Sequence, residues 1–279
     1  MFIITFDLEL YDPMKSYSDN VFEKYIKDQE TILKNIFSLF YKNKIRISCF
    51  VTNEFVKYYY DFFHKYIVSN HEISCHTANH LFFNGTNLEE YVDNIRENKR
   101  LLERESGKKC LGFRSPGGQI PNNLISILKK LNIKYDSSVI PGILPGRFNN
   151  SKAPKEPYFP NYNNIFVPDS TNTEVIEFPL LTSRTLRISM NGFFFSYYSK
   201  FIDLDEYKNN FGVIYLHPSD FKRFKLFEKT FIWDKIKLTK NNWNFLSKYV
   251  NTIKKTDLRL INLLNTGKKE EENFIITLD

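Results

Sequence analysis

A chain of 279 residues that is 42% hydrophobic and 25% charged, with 27 Phe and 17 Tyr, is too apolar for disorder and long enough to bury one large core. Its net charge of +7 is scattered, and the densest basic stretch (Lys222, Arg223, Lys225, Lys229) comes with no nucleic-acid-reading module, so a solvated surface and no nucleic-acid partner are expected. Cys49, Cys75 and Cys110 suggest neither a disulfide framework nor a zinc ribbon.

No run reaches the roughly 18 apolar residues of a membrane span, and the first residues do not read as a cleavable leader. The expectation is a cytoplasmic protein with no transmembrane segment, peripheral to the inner membrane at most through a lipid-linked substrate.

Short apolar runs alternate with amphipathic stretches from Phe2 to about Leu264, the pattern of βα units around a parallel sheet. Phe2–Phe6 is the first strand, and Asp7 and Glu9 follow at its tip. A helix to about Tyr41 places Tyr25, Ile32, Leu33, Ile36, Phe37 and Phe40 at helical spacing. Ile45–Val51 is the second strand, a helix covers about Asn53–Tyr66, and Glu72–Cys75 is the third strand, leading directly into His76-Thr-Ala-Asn-His80. A polar helix spans about Asn87–Glu105, Cys110–Phe113 is a strand, and Arg114–Gly118 is the turn beyond it.

Asn122 opens a helix ending near Asn132, followed by a strand-like segment at Lys134–Val139. Pro141–Asn164 is a Pro/Asn-rich loop longer than ordinary connections. Val175–Leu181 and Leu186–Tyr198 read as further β segments, Val213–Leu216 as a buried strand delivering His217, Asn241–Lys254 as a helix and Leu258–Leu264 as a closing strand. The whole reads as one domain over 1–279 with a loop and β insertion at about 141–200. Asp7, His76, Arg114, Asp136 and His217 all fall at strand carboxyl ends, where parallel α/β folds gather their reactive groups.

His76 and His80 are four residues apart, so a helical turn would turn both imidazoles to one side, as a tetrahedral metal needs. Alone the pair reads equally as a surface or capping pair. Two imidazoles and one carboxylate leave a coordination position open for water, and a second carboxylate beside them can take that water's proton. His217 would serve as the acid, against a core histidine bonded to a carbonyl. Arg114 would hold a carboxylate ionised.

Thr-Phe-Asp-x-Glu at the start, His-Glu-Ile-x-x-His-Thr-x-x-His at 71–80, Phe-Arg-Ser-Pro-Gly at 113–117, Tyr-Asp-Ser-Ser at 135–138, Ile-Glu-Phe-Pro at 176–179 and Tyr-Leu-His-Pro at 215–218 form an ordered set. Together they resemble the NodB-homology polysaccharide deacetylases, carbohydrate esterase family 4. The Tyr-Leu-His-Pro form is similar to the branch associated with lipopolysaccharide, capsule and exopolysaccharide synthesis. The resemblance implies an α/β fold, a distorted (β/α) barrel of about seven parallel strands, and metal-dependent attack of water on an N-acetyl group of a surface glycan or its precursor. The cofactor it implies is a divalent metal, Zn2+ first, with Co2+, Mn2+ or Ni2+ as substitutes.

Carried over residue by residue, Asp7 matches the base, His76 and His80 the metal-binding histidines, Arg114 the arginine that positions the base, and His217 the acid. Tyr135, Asp136 and Ser137, with Pro116, match the segments that shape the substrate groove, while His71 and Glu72 read as structural. Two departures stand out: Leu8 replaces the usual second aspartate, and Gly117 stands where many members carry an aromatic. Alternation along the strand points Asp7 and Glu9 to the same side, which makes Glu9 the third ligand. Asp7 as the ligand, and a metal-free site as in ureide-hydrolysing relatives, are the alternatives. Hydrolysis of a ureide or cyclic amide and non-catalytic glycan binding are the rival functions.

Overall fold

In the computed structural model, which describes residues 2–10, 18–144, 148–182 and 212–223, the apolar runs become strands and the amphipathic stretches cover them. In chain order come β1 (Phe2–Leu8), α1 (Asp19–Lys42), β2 (Ser48–Val51), α2 (Asn53–Tyr58) and α3 (Tyr60–Phe62), the last running into a π-helical turn at Phe63–Val68. β3 (Glu72–Cys75), α4 (Leu88–Ser106), β4 (Gly112–Phe113), α5 (Leu124–Lys130) and β5 (Tyr135–Asp136) follow. Two small antiparallel pairs come next, β6 (Ile143–Leu144) with β7 (Phe148–Asn149), and β8 (Pro160–Asn161) with β9 (Asn164–Pro168). β10 (Ile176–Glu177), β11 (Gly212–Leu216) and α6 (Pro218–Arg223) complete the described elements. The stretch expected as a bare loop at 141–164 therefore carries strands. The elements expected at 186–198, 241–254 and 258–264, with Lys225 and Lys229, lie outside the described residues.

Seven strands pair in the order β10-β5-β4-β3-β2-β1-β11, every pairing parallel. Leu180 bridges Val213, so the chain leaving β10 reaches the opposite edge strand and the sheet curls as a distorted (β/α) barrel.

Strand alternation sorts the side chains into two layers. Ile4, Phe6 and Leu8 of β1, Cys49 and Val51 of β2, and Ile73 and Cys75 of β3 pack outward against the helices. Ile3, Phe50, Tyr135, Phe178 and Val213 form a second cluster on the other face. Helix α1 meets the outer layer with Leu33, Ile36, Phe37 and Phe40, and Phe6 lies within 6.0 Å of Phe37, 5.8 Å of Phe40 and 5.7 Å of Phe221, ring centre to ring centre. All three cysteines are buried free thiols.

The single helix expected over 53–66 is broken at Tyr59, whose φ of −124° leaves the helical region. Its hydroxyl is buried and donates to Gln29 Oε1 on α1 at 3.1 Å, a bond that a regular helix would have to give up. At β4 the backbone approach is tight. A Cβ on Gly112 would lie 2.1 Å from the Tyr135 ring, so only glycine admits that ring beneath the strand.

His71 and Glu72 are structural, as expected. His71 is buried among Phe37 and Phe40, and its Nδ1 accepts the Ile47 N–H at 3.3 Å. Glu72 accepts a hydrogen bond from Ser48. Burial, with the charges of Lys108 and Arg46, pushes the His71 imidazolium down to about 3.

Between the unfolded value near 6.5 and about 3, the unfolded chain binds a proton that the fold refuses. The stabilisation is complete above the unfolded value and is lost as pH falls toward about 3, by on the order of a few kcal/mol. Urea titrations from pH 7 to pH 4 should show this acid weakening in the native protein and a flatter profile in His71→Gln. Equal slopes would exclude His71 as its source.

Candidate active site

Asp7 is the last inward-facing residue of β1, and Glu9 lies one residue beyond the strand. The strand tip is anchored from α1, where Gln29 Nε2 donates to the Glu9 carbonyl at 3.2 Å. Leu8 between them is fully buried in the outer layer, so it points away from both carboxylates.

The His76–His80 segment leaves β3 as an irregular loop rather than the helical turn expected. Thr77 and His80 both have φ of +60°, a left-handed backbone that costs a β-branched or bulky residue on the order of 1–3 kcal/mol. Helix α4 holds this shape. Asn98 accepts the His76 N–H at 2.8 Å, and Asn94 accepts the Ala78 N–H at 2.7 Å. Asn98 also donates to the Val51 carbonyl and to Asn53 Oδ1, tying the loop to the neighbouring strand.

The two rings, brought to 5.2 Å apart, share one carboxylate oxygen. Glu9 Oε2 lies 3.0 Å from His76 Nε2 and 2.6 Å from His80 Nε2. His76 Nδ1 is 2.7 Å from the Arg114 carbonyl, which can only accept, so Nδ1 donates there and Nε2 is the nitrogen turned to Glu9. Once deprotonated, both Nε2 atoms would be free to share one ion with Glu9. The donors of Glu9, His76 and His80 all lie within 4.8 Å of one another, and two imidazoles with a carboxylate suit zinc or a similar divalent ion. The residues therefore fit a metal. Burial raises the Glu9 carboxyl, but the bonds from His76 and His80 and the charge of His217 more than offset it, holding Glu9 well below the usual carboxylate range.

Arg114 follows β4 and is buried. Its guanidinium donates to Asp7 Oδ1 at 2.5 Å, Thr5 Oγ1 at 2.9 Å, Ser137 O at 2.8 Å and Ser137 Oγ at 3.0 Å, and it lies 4.0 Å from the Phe50 ring centre. Asp7 is thus fixed through one oxygen, and its Oδ2 faces His217.

The four residues expected to shape a substrate groove lie inside the protein. Tyr135, Asp136, Ser137 and Pro116 are all buried. Ser137 holds Arg114, the Tyr135 hydroxyl bonds Ser74 at 2.7 Å, and Asp136 accepts from Ser138 Oγ at 2.7 Å. Beside Asp136 in the register, burial and the Asp136 charge push the Glu177 carboxyl well above its usual range. Ser137 is the member of this set that bonds Arg114. Tyr135 and Asp136 lie on a two-residue strand paired on both sides, which closes in their side chains.

His217 directly follows β11 and is partly exposed. Its Nε2 stands 3.7 Å from Asp7 Oδ2 and 3.6 Å from Glu9 Oε1. On its other side Asp220 Oδ2 lies 3.6 Å from Nδ1 and accepts the His217 N–H at 2.8 Å. Burial opposes the imidazolium, but Asp220, Glu9 and Asp7 together raise it to about 10. Six side chains named from sequence, Asp7, Glu9, His76, His80, Arg114 and His217, thus meet at the carboxyl ends of the strands.

Residues 4–135 match the sequence model of the polysaccharide deacetylases. Over that stretch, just under half of its length, the chain is similar to that family. No curated protein sequence matches it. Among solved structures, a Mycobacterium smegmatis protein assigned to the polysaccharide deacetylases superposes with a TM-score of 0.66 at 12% identity, over 91% of this chain and 90% of that one. PuuE allantoinase gives 0.56 at 14% identity over 82% and 84%, and a Pseudomonas aeruginosa PAO1 protein of the deacetylase class 0.55 at 13% over 82% and 84%. At such identities these likenesses speak for the fold.

Within this site, sequence reasoning missed the supports. Asn94 and Asn98 are four apart on the inner side of α4, a polar pair on a helix that must bury one face, and that was their only signal. Asp220, three residues after His217, had none. Asp220→Asn keeps an acceptor for the His217 N–H but removes the charge that raises the imidazolium. The expected result is a fall of about tenfold in kcat with KM unchanged. The alkaline limb of the pH–rate profile should move to lower pH, because the acid form is lost sooner. An unmoved limb would leave Asp220 a purely local cap.

Proposed function

We propose that this chain is a metal-dependent deacetylase that hydrolyses the N-acetyl group of a sugar in a surface glycan or its precursor. The observation that carries this reading is the convergence of Glu9, His76 and His80 on one point, with Asp7 Oδ2 and His217 Nε2 beside it. Glu9, His76 and His80 are the ligands, Asp7 is the base and His217 the acid. Zinc is the ion best matched to the donors.

When bound, a divalent ion supplies Lewis acidity toward a water and the acetamide carbonyl. Asp7, with Oδ1 occupied by Arg114, takes the proton of the attacking water on Oδ2. Arg114 keeps that carboxylate ionised and in place, since its own position is set by Thr5 and Ser137. His217, raised to about 10, is charged at neutral pH and gives its proton to the sugar nitrogen as the C–N bond breaks, so that acetate and the free amine leave.

No helix among the described residues is long and apolar enough to cross a membrane. A cytoplasmic enzyme acting on a nucleotide- or lipid-linked glycan precursor is the setting we propose. The test is elemental analysis of the purified chain, together with an acetate-release screen over N-acetylated nucleotide sugars, lipid-linked sugars and oligosaccharides. Bound metal with acetate release supports the reading, and absence of both would sink it.

A further inference from the structure

Of the large apolar side chains exposed among the described residues, Phe82 is the one in ring contact with a site histidine. Its ring meets that of His80 edge to face, 4.9 Å between centres, while 38% of the residue stays open to solvent. Singly exposed apolar side chains are ordinary, and what sets this one apart is its contact with a site histidine and the way its ring is held in place.

Two separate segments build this seat. Behind the ring lies Gly117, where a Cβ would come 2.7 Å from Phe82 Cε1, and where φ of +61° already favours glycine. On the other side, the loop is wired by asparagines. Asn87 Nδ2 donates to the Phe82 carbonyl at 3.0 Å, Asn87 Oδ1 accepts the Asn84 N–H at 2.9 Å, and Asn84 Oδ1 accepts the Thr86 and Asn87 N–H groups at 3.0 and 3.1 Å. The ring is therefore placed before any ligand arrives, so that little ordering cost remains for binding.

A phenyl face has no hydrogen-bonding capacity and offers dispersion and a negative quadrupole. The matching surface on a glycan is the C–H face of a pyranose, whose axial hydrogens are slightly positive. We propose that Phe82, seated on Gly117, is the sugar-stacking wall of the site and takes the C–H face of a pyranose ring of the N-acetylated glycan. The proposal rests on the deacetylase reading for its substrate class.

The experiment is calorimetric titration of an N-acetylglucosamine trisaccharide into Zn2+-loaded Asp7→Asn protein, in which turnover is suppressed. Phe82→Ala in that background should weaken binding about tenfold, equivalent to about 1.4 kcal/mol. Phe82→Trp should keep it, and Gly117→Ala, which leaves the phenylalanine present but pushes its ring aside, should weaken it as Phe82→Ala does. Zn2+ affinity, measured by competition with a chelator, should be the same in all of them.

Undiminished sugar affinity in Phe82→Ala overturns the proposal, as does failure of the parent protein to bind the trisaccharide. A parallel fall in Zn2+ affinity also overturns it, because Phe82 would then serve only to hold His80. Acetate release by the protein with Asp7 intact is scored separately. Sugar binding that depends on Phe82 without any release retires the deacetylase reading while the stacking wall stands.

Discussion

Asp7→Asn lowers kcat for acetate release by about a thousandfold, the middle of the range for loss of a general base, while the chain stays folded and keeps its metal. The asparagine can still accept the Arg114 hydrogen bond through its carbonyl, so the geometry around Thr5, Arg114 and Ser137 survives. What disappears is a basic oxygen at the Oδ2 position facing His217. Stability falls too, since the buried Arg114 loses its charge partner. Outright removal of one member of a buried pair costs about 3–5 kcal/mol, and the retained hydrogen bond should keep the asparagine variant below that. Steady-state acetate release and urea denaturation of the same preparation separate the two effects. Retention of most of the activity would show that another group takes the proton.

Glu9→Gln should act on the metal first. The amide keeps the shape of the side chain but loses the charge that faces His76 and His80, and zinc affinity should drop on the order of a hundredfold or more. Acetate release should fall with it and recover in part when zinc is supplied in excess. Asp7→Asn, by contrast, should bind zinc normally and gain nothing from the excess. The pair of variants decides which carboxylate is the ligand. Zinc lost in Asp7→Asn and kept in Glu9→Gln would reverse the two roles.

Leu8 shows why that question arises and how the fold answers it. Where relatives carry a second aspartate, this chain has a leucine that is fully buried against the helices. A carboxylate at that position would turn away from the histidines into the apolar layer. Glu9 is one residue further on and one methylene longer than aspartate, and it closes the distance to both rings.

Much of the architecture could be read from local patterns. Strand alternation and helix periodicity report which way a side chain faces relative to its own element, and that information is contained in a few consecutive residues. It was enough to lay out β1 to β5 along the chain and to place Asp7 and Glu9 on a common side, while the ordered motifs and the family resemblance they carry named the six converging side chains. The broken helix at Tyr59 and the non-helical His76–His80 loop escaped it. Both follow from distant partners, Gln29 in the first case and Asn94 and Asn98 in the second.

The sequence by itself determined a parallel α/β chain with acids and histidines at its strand ends. Only the tertiary structure decided that Arg114 reaches Asp7 across 107 residues, that Tyr135, Asp136, Ser137 and Pro116 are buried, and that Phe82 rests on Gly117. The reason is physical. Periodicity is a property of one element, whereas burial, ion pairing and contact across a barrel depend on which strands lie side by side, and that is set by the packing of the whole sheet.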